Sequence, residues 1–188
     1  MIDSRIAFRA IDFNSSFSAN RRFDLAMSLE VAEHLKPESA SLFIDALTQA
    51  SDVVLFGAAV KGQGGTGHIN EQPQSYWGTF FRLRNYAVVD MFRPILWSNP
   101  SIEFHYRQNA FLYIRKGHPL LEHLAAKGIS EMSDLGFMDC LHPELYNRYR
   151  SGERTFANRS PILMNLLQLL PQRMYVSLRS YARRFIFK

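Results

Sequence analysis

The sequence predicts an α/β fold in which a parallel sheet is closed by an antiparallel hairpin, and three observations support it. Two short, almost continuously apolar segments, 23–29 and 52–60, have the composition of strands covered on both faces. A segment with helical periodicity lies between them. Two further apolar segments, 86–92 and 108–116, follow without a helical period between them. We expect the first two strands to be parallel neighbours and the last two to form a hairpin.

Local signals predict the remaining elements in order. Residues 6–13 predict a short strand that ends in an acid. Pro37 precedes the first helix, whose apolar positions have i, i+3, i+4 and i+7 spacing: Ala40, Phe43, Ile44 and Leu47. Pro73 opens a second helix. The face that this helix is expected to bury is aromatic: Tyr76, Trp77, Phe80 and Phe81.

The positive charge of the chain is concentrated near its C-terminus. The 188 residues include 22 Lys and Arg against 17 Asp and Glu, for a formal net charge of +5. Residues 146–188 hold nine of these bases and one acid, so residues 1–145 carry thirteen bases and sixteen acids. This distribution argues against a basic nucleic-acid-binding body, and we expect no nucleic-acid partner.

Three regions follow from these patterns. Residues 1–116 form the sheet-containing domain. Residues 117–160 are a mixed extension that begins with a short helix, which Gly128 ends. Residues 161–188 predict a basic amphipathic helix, so the C-terminal extension is helical. This tail either packs its apolar stripe against the body or binds an anionic membrane surface.

The composition also indicates a cellular compartment. Cys140 is the single cysteine and has no partner for an internal disulfide, which favours a reducing environment. The first residues are charged and lack the apolar core of a signal peptide. We therefore expect a cytoplasmic location, peripheral at the inner membrane face if the tail binds lipid.

A group of ionisable residues follows the first buried strand. Glu30, Glu33 and His34 have i, i+3, i+4 spacing, which brings all three to one face of a helical turn. In open parallel sheets, ligands bind in the crevice outside the carboxyl ends of the strands. The alternative is a solvated helix start, where acidic residues favour the N-terminal end of the helix dipole.

Residues 23–35 (F-D-L-A-M-S-L-E-V-A-E-H-L) resemble the fourth-strand motif of class I S-adenosylmethionine-dependent methyltransferases. The order of elements over residues 6–116 is similar to that of the same family, and residues 67–77 resemble a loop found in a subgroup acting on small molecules or glycans. The resemblance implies a Rossmann-like methyltransferase fold. It implies transfer of a methyl group to oxygen or nitrogen of a small-molecule or glycan acceptor.

The resemblance also implies roles for individual residues. Asp12 matches the acid that contacts the cofactor adenine, and Phe13 adds neighbouring backbone and packing. Ser28, Leu29 and Glu30 match the strand end that lies along the methionyl and ribose side of S-adenosylmethionine.

The same resemblance implies a catalytic group formed by Glu33, His34 and His68 facing the acceptor. Within this group, His68 is our candidate general base. These three residues and the cofactor contacts make up the expected site.

Eleven residues precede Asp12, whereas the family's first strand and glycine-rich cofactor loop need a unit of about 30 residues. We therefore expect an incomplete, N-terminally truncated methyltransferase domain, or a start that lies upstream of Met1. The alternative function is a non-catalytic fragment or interaction module.

Residues 62–67 fit G-x-G-x-x-G, but His68 to Gln72 separate them from the helix that would have to begin at the glycines in a dinucleotide site. A mobile loop beside the substrate is the favoured interpretation. A divalent cation held by Glu30, Glu33, His34 and His68 is a further alternative. Because E-x-x-E-H also occurs in relatives without metal, the expected site includes no metal ligand.

Overall fold

The computed structural model describes residues 7–15 and 17–151. The predicted basic helix over 161–188 and the end of the mixed extension lie outside the described residues. No helix in the described part of the chain combines the length and apolarity needed to cross a bilayer.

The described residues contain a four-stranded mixed sheet. Its strands are β1 (Ala26–Leu29), β2 (Val53–Gly57), β3 (Tyr86–Val89) and β4 (Phe111–Arg115). The order across the sheet is β1-β2-β4-β3. β1 and β2 are parallel, whereas β4 is antiparallel to both of its neighbours. The predicted α/β class, the parallel pair and the antiparallel hairpin are confirmed.

Six α-helices connect and flank the strands in the described residues: α1 (Ala40–Ala50), α2 (Gln74–Leu83), α3 (Arg93–Leu96), α4 (Phe104–Asn109), α5 (Pro119–Ala125) and α6 (Pro143–Arg150). The predicted helices that became α1, α2 and α5 are confirmed. The prediction of a hairpin without a helix between β3 and β4 was wrong in this respect, because α3 and α4 lie there. These helices have four and six residues, which is too short to display a helical period in the sequence.

The strand predicted over 6–13 was also wrong for its described part, since residues 7–13 form none. A strand needs a neighbouring chain to satisfy its backbone groups. Here a local turn forms instead, in which the Asp12 carboxylate accepts hydrogen bonds from the backbone N–H of Asn14 at 2.9 Å and from its side-chain amide at 3.0 Å. The segment is anchored where the Lys36 N–H donates to Asn14 Oδ1 at 3.0 Å.

Helices α1 and α2 cover one face of the sheet. Phe56 of β2 and Tyr113 of β4 project into this layer, where the Phe81 ring stacks on Tyr113 with centroids 3.8 Å apart. Trp77 is buried beside them, and Tyr76 and Phe80 are partly buried. The aromatic face predicted for the second helix is confirmed, and its burial fixes α2 against the sheet.

The opposite face is covered unevenly. Val89, Leu112 and Ile114 pack with Leu124 of α5. At the β1 edge, Met27 lies opposite Leu55 in the register and is 64% exposed. The sheet is therefore better buried at its antiparallel end than at β1.

Candidate functional site

The site begins where β1 and β2 end side by side. Leu29 lies opposite Gly57 in the register, and the Glu30 N–H donates to the Gly57 carbonyl at 2.9 Å. Glu30 has φ of 54°, a left-handed conformation that few non-glycine residues adopt. It turns the chain away from β1 and into a 3-10 turn, Ala32–His34, which carries Glu33 and His34.

Glu30 does not join its two motif partners. One carboxylate oxygen accepts from the Gln63 side-chain amide at 2.5 Å, and the other accepts from Asn109 at 3.1 Å. The Asn109 amide also donates to Gln63 Oε1 at 2.9 Å. The three side chains form a closed polar network that links the turn after β1, the glycine-rich loop and the end of α4. The predicted gathering of Glu30, Glu33 and His34 on one face is therefore incomplete.

Glu33 is a fully buried acid, with 0% of its surface exposed. Neither carboxylate oxygen has a hydrogen bond of good geometry. Burial raises the pKa of the Glu33 carboxyl, and the negative charge of Glu30 raises it further. The backbone amides of Glu33 and Ala59 and the neighbouring His68 lower this pKa, but they offset the effect of burial only partly. The burial of this carboxylate is thus only partly compensated by its surroundings.

Two imidazoles face this carboxylate. The rings of His34 and His68 meet edge to face with centroids 4.8 Å apart. Nε2 of His34 lies 3.9 Å from Glu33 Oε1, and Nε2 of His68 lies 3.8 Å from the same oxygen. The His68 side chain is 9% exposed and that of His34 is 43% exposed, so the cluster opens to solvent on the His34 side. The catalytic group predicted from the sequence is brought together by the structure.

Glu71 organises the glycine-rich loop around His68. Its carboxylate accepts from the backbone N–H of Gly62 at 2.6 Å, from that of Gly64 at 3.0 Å and from Nδ1 of His68 at 2.9 Å. A Cβ at Gly65 would lie 2.3 Å from Nε2 of His68, so only glycine permits this close packing of loop on ring.

The loop is tied to the turn after β1 as well. The Glu33 carbonyl accepts from the N–H groups of Ile69 and Asn70, at 2.9 and 3.0 Å. Nδ1 of His34 meets the Gly67 carbonyl at 3.2 Å. Because α2 begins only at Gln74, the loop does not open a helix, which is the feature that a dinucleotide site needs.

The residues expected to hold cofactor are placed in different surroundings. Ser28 is buried, its hydroxyl has no hydrogen-bond partner, and Leu29 is partly buried beside it. Asp12 is turned toward Asn14, whose backbone N–H and then side-chain amide lower the pKa of its carboxyl. The Phe13 ring packs on Phe43 of α1 at 5.0 Å. Within the described residues, no hydrogen bond or ring contact joins Asp12 or Phe13 to the histidine cluster.

Sequence reasoning missed three residues that shape the site: Gln63, Glu71 and Asn109. Glu71 lies three residues after His68, a spacing that could have indicated a partner. Asn109 is 79 residues from Glu30, and no local signal connects them. No family model, curated protein or solved structure matches the chain.

Proposed function

We propose that this chain is a class I methyltransferase-like protein and carries the acceptor side of its site. Its reaction would be methyl transfer from S-adenosylmethionine to oxygen or nitrogen of a small molecule or glycan, where the cofactor site is complete. The motif over residues 23–35 supports the proposal, as does the parallel strand pair followed by an antiparallel hairpin.

The observation that carries the proposal is the position of Glu33, His34 and His68. They lie just beyond the carboxyl ends of β1 and β2, where open α/β sheets bind their ligands. A cluster of one acid and two imidazoles, open on the His34 side, can hold a polar acceptor and take up its proton.

His68 is the residue best arranged to accept that proton. Its Nδ1 is held by Glu71, which leaves Nε2 as the basic nitrogen on the side of the cluster. When bound, S-adenosylmethionine would supply the methyl group by cleavage of its sulfur–methyl bond and would leave as S-adenosylhomocysteine. Nε2 of His68 would take up the proton that the acceptor hydroxyl or amine loses, and the Glu71 carboxylate would stabilise the resulting imidazolium.

The described residues fit a cofactor only in part. The buried hydroxyl of Ser28 has no hydrogen-bond partner and lies in the position where the resemblance implies the methionyl side. Both oxygens of Glu30 are engaged by Gln63 and Asn109, and Asp12 is engaged by Asn14. We therefore assign the contact to Ser28 and derive no step from Asp12 or Glu30.

Calorimetric titration of the purified chain with S-adenosylmethionine tests the function. We expect saturable binding that weakens about tenfold in Ser28→Ala, the loss of one hydrogen bond to a ligand. Ser101→Ala removes the same hydroxyl from an exposed loop and serves as the matched control.

Absence of heat at millimolar cofactor, from protein with an intact circular dichroism spectrum, would contradict the proposal. That result would favour the alternative, a non-catalytic interaction module. The exposed Met27 at the β1 edge is the observation in favour of the alternative, because it leaves apolar surface available to a partner.

A further inference from the structure

We propose that Glu33, His34 and His68 form a binding site for a divalent transition-metal ion. One oxygen of Glu33 and one ring nitrogen of each histidine lie within 4.8 Å of one another. Two imidazole nitrogens and one carboxylate oxygen are a donor set that suits Zn²⁺, Fe²⁺ or Co²⁺ better than Mg²⁺ or Ca²⁺, which prefer oxygen ligands.

The first argument is the Glu33 carboxylate itself. Buried charges in proteins are paired or bind metals, because an unpaired charge away from water is costly. Glu33 is completely buried, and its oxygens have no hydrogen bond of good geometry. The nearest basic nitrogens, on His34 and His68, are 3.9 and 3.8 Å from Oε1, beyond hydrogen-bonding distance. These separations leave room for an ion between the three groups.

The second argument is the orientation of the two imidazoles. Nδ1 of His34 meets the Gly67 carbonyl, which can only accept, so this nitrogen carries the proton. Nδ1 of His68 is held by the Glu71 carboxylate. With the Nδ1 proton placed in this way, the lone pair of a neutral ring is on Nε2, the atom that approaches Glu33. Metal-binding histidines are positioned in this way by carbonyl or carboxylate partners of the other nitrogen.

The geometry requires only small adjustments. Tetrahedral bonds of about 2.1 Å place ligand atoms about 3.4 Å apart, so the three atoms would have to approach one another by roughly 0.4 to 1.4 Å. Three protein ligands leave at least one coordination position open, as in catalytic rather than structural sites. The half-exposed His34 side chain marks the route by which an ion would enter.

Glu30 is excluded as a ligand by its contacts. Both of its oxygens are held by Gln63 and Asn109. The site is thus a set of three residues, distinct from the four-residue alternative suggested by the sequence. It also departs from the expectation that the site includes no metal ligand.

A bound ion would change the chemistry of the site, a consequence that rests on the proposed function. With Nε2 of His68 coordinated, this residue is a ligand rather than a base. The open coordination position would then bind the acceptor hydroxyl. The ion would lower the pKa of that hydroxyl, so that the hydroxyl proton can pass to water.

The test uses metal binding, which does not depend on methyl transfer. The full chain is stripped with a chelator, dialysed, and titrated with Zn²⁺ by calorimetry, with Co²⁺ absorption as a spectroscopic readout. We expect one high-affinity ion per chain and a visible Co²⁺ spectrum typical of low-coordinate nitrogen and oxygen ligation.

Three variants locate the ion. His34→Ala and Glu33→Gln should weaken binding at least 100-fold, and Glu71→Gln, which acts through His68, should weaken it about 10- to 100-fold. His123→Ala, an exposed histidine on α5, is the matched control and should leave the affinity unchanged.

Absence of Zn²⁺ binding at micromolar concentrations by folded protein overturns the metal site. Binding that is equally strong in His34→Ala and Glu33→Gln overturns it as well. Since His34 is half-exposed, its variant should fold and keeps the test valid on its own. Metal binding without S-adenosylmethionine binding would support this inference and contradict the proposed function, so the two can fail separately.

Discussion

Glu71 accepts a hydrogen bond from Nδ1 of His68 at 2.9 Å and, with the same carboxylate, holds the N–H groups of Gly62 and Gly64. One side chain thereby fixes both the course of the glycine-rich loop and the orientation of an imidazole. The loop is close to the histidine because a shared acceptor binds them, and because Gly65 has no side chain to separate them.

The first prediction concerns this shared acceptor. Glu71→Gln keeps the shape of the side chain but replaces one acceptor oxygen with a donor, so at least one loop N–H loses its partner. We expect the free energy of unfolding to fall by about 1–2 kcal/mol, measured by urea denaturation. Glu38→Gln, at an exposed position before α1, is the control. An unchanged stability in Glu71→Gln would show that the loop is held by other contacts.

The second prediction concerns the close packing at Gly65. Gly65→Ala introduces a methyl group that would lie 2.3 Å from Nε2 of His68, so the ring or the loop must move. We expect a loss of about 2 kcal/mol in unfolding free energy and weaker Zn²⁺ binding, since the displaced nitrogen no longer faces Glu33.

The control for this variant is Gly128→Ala. Gly128 also has a positive φ, of 77°, but a methyl group there would meet no atom within 4 Å. The Gly128→Ala variant measures only the cost of placing a side chain at a positive φ, a loss of about 1 kcal/mol in unfolding free energy. Equal losses in the two variants, with Zn²⁺ binding intact, would contradict the packing argument.

The third prediction concerns the buried charge of Glu33. In chelator at neutral pH, Glu33→Gln should be at least as stable as the native chain, with a gain of about 1 kcal/mol, because the substitution removes a buried carboxylate whose burial is only partly compensated. Adding Zn²⁺ should raise the melting temperature of the native chain and leave that of the variant unchanged. A metal-free loss above about 1 kcal/mol would mean that the carboxylate has a structural partner.

The parts of the fold that the sequence predicts are those governed by local pattern. The spacing of Ala40, Phe43, Ile44 and Leu47 is enough to define α1, because one face of a helix must be apolar to pack on a sheet. The strand expected over 6–13 failed because pairing depends on a neighbour that local pattern does not reveal. Helices α3 and α4 were missed because they are shorter than two helical turns.

The candidate site was likewise predictable only where local motifs and strand order place its residues. Glu33 and His34 are adjacent in a motif, and His68 follows the next strand, so the ends of two parallel neighbours bring them together. Glu30 belongs to the same motif, yet it pairs with Asn109, which is far away in the chain. The left-handed turn at Glu30 directs this acid toward a distant amide and away from the histidine cluster. Helical spacing in the sequence does not predict such a turn.

The last prediction concerns the pH dependence of stability and arises from Asp52, which precedes β2. Burial alone would raise the pKa of its carboxyl, but hydrogen bonds and charge from Arg115 and Arg22 together lower it. A carboxyl whose pKa is lowered in the folded state stabilises the fold at pH values above its pKa in the unfolded chain, which is about 4. This stabilisation is lost as the pH falls through the folded-state pKa.

Asp52→Asn should therefore reduce the free energy of unfolding at pH 7 by about 1 kcal/mol, a modest value because these side chains are partly exposed to water and screened by salt. At a pH below both pKa values the difference from the native chain should disappear. Urea denaturation at the two pH values measures it, with Asp24→Asn, at an exposed position, as the control. A difference that persists in acid would assign the effect of Asp52 to packing and neutral hydrogen bonds rather than to its charge.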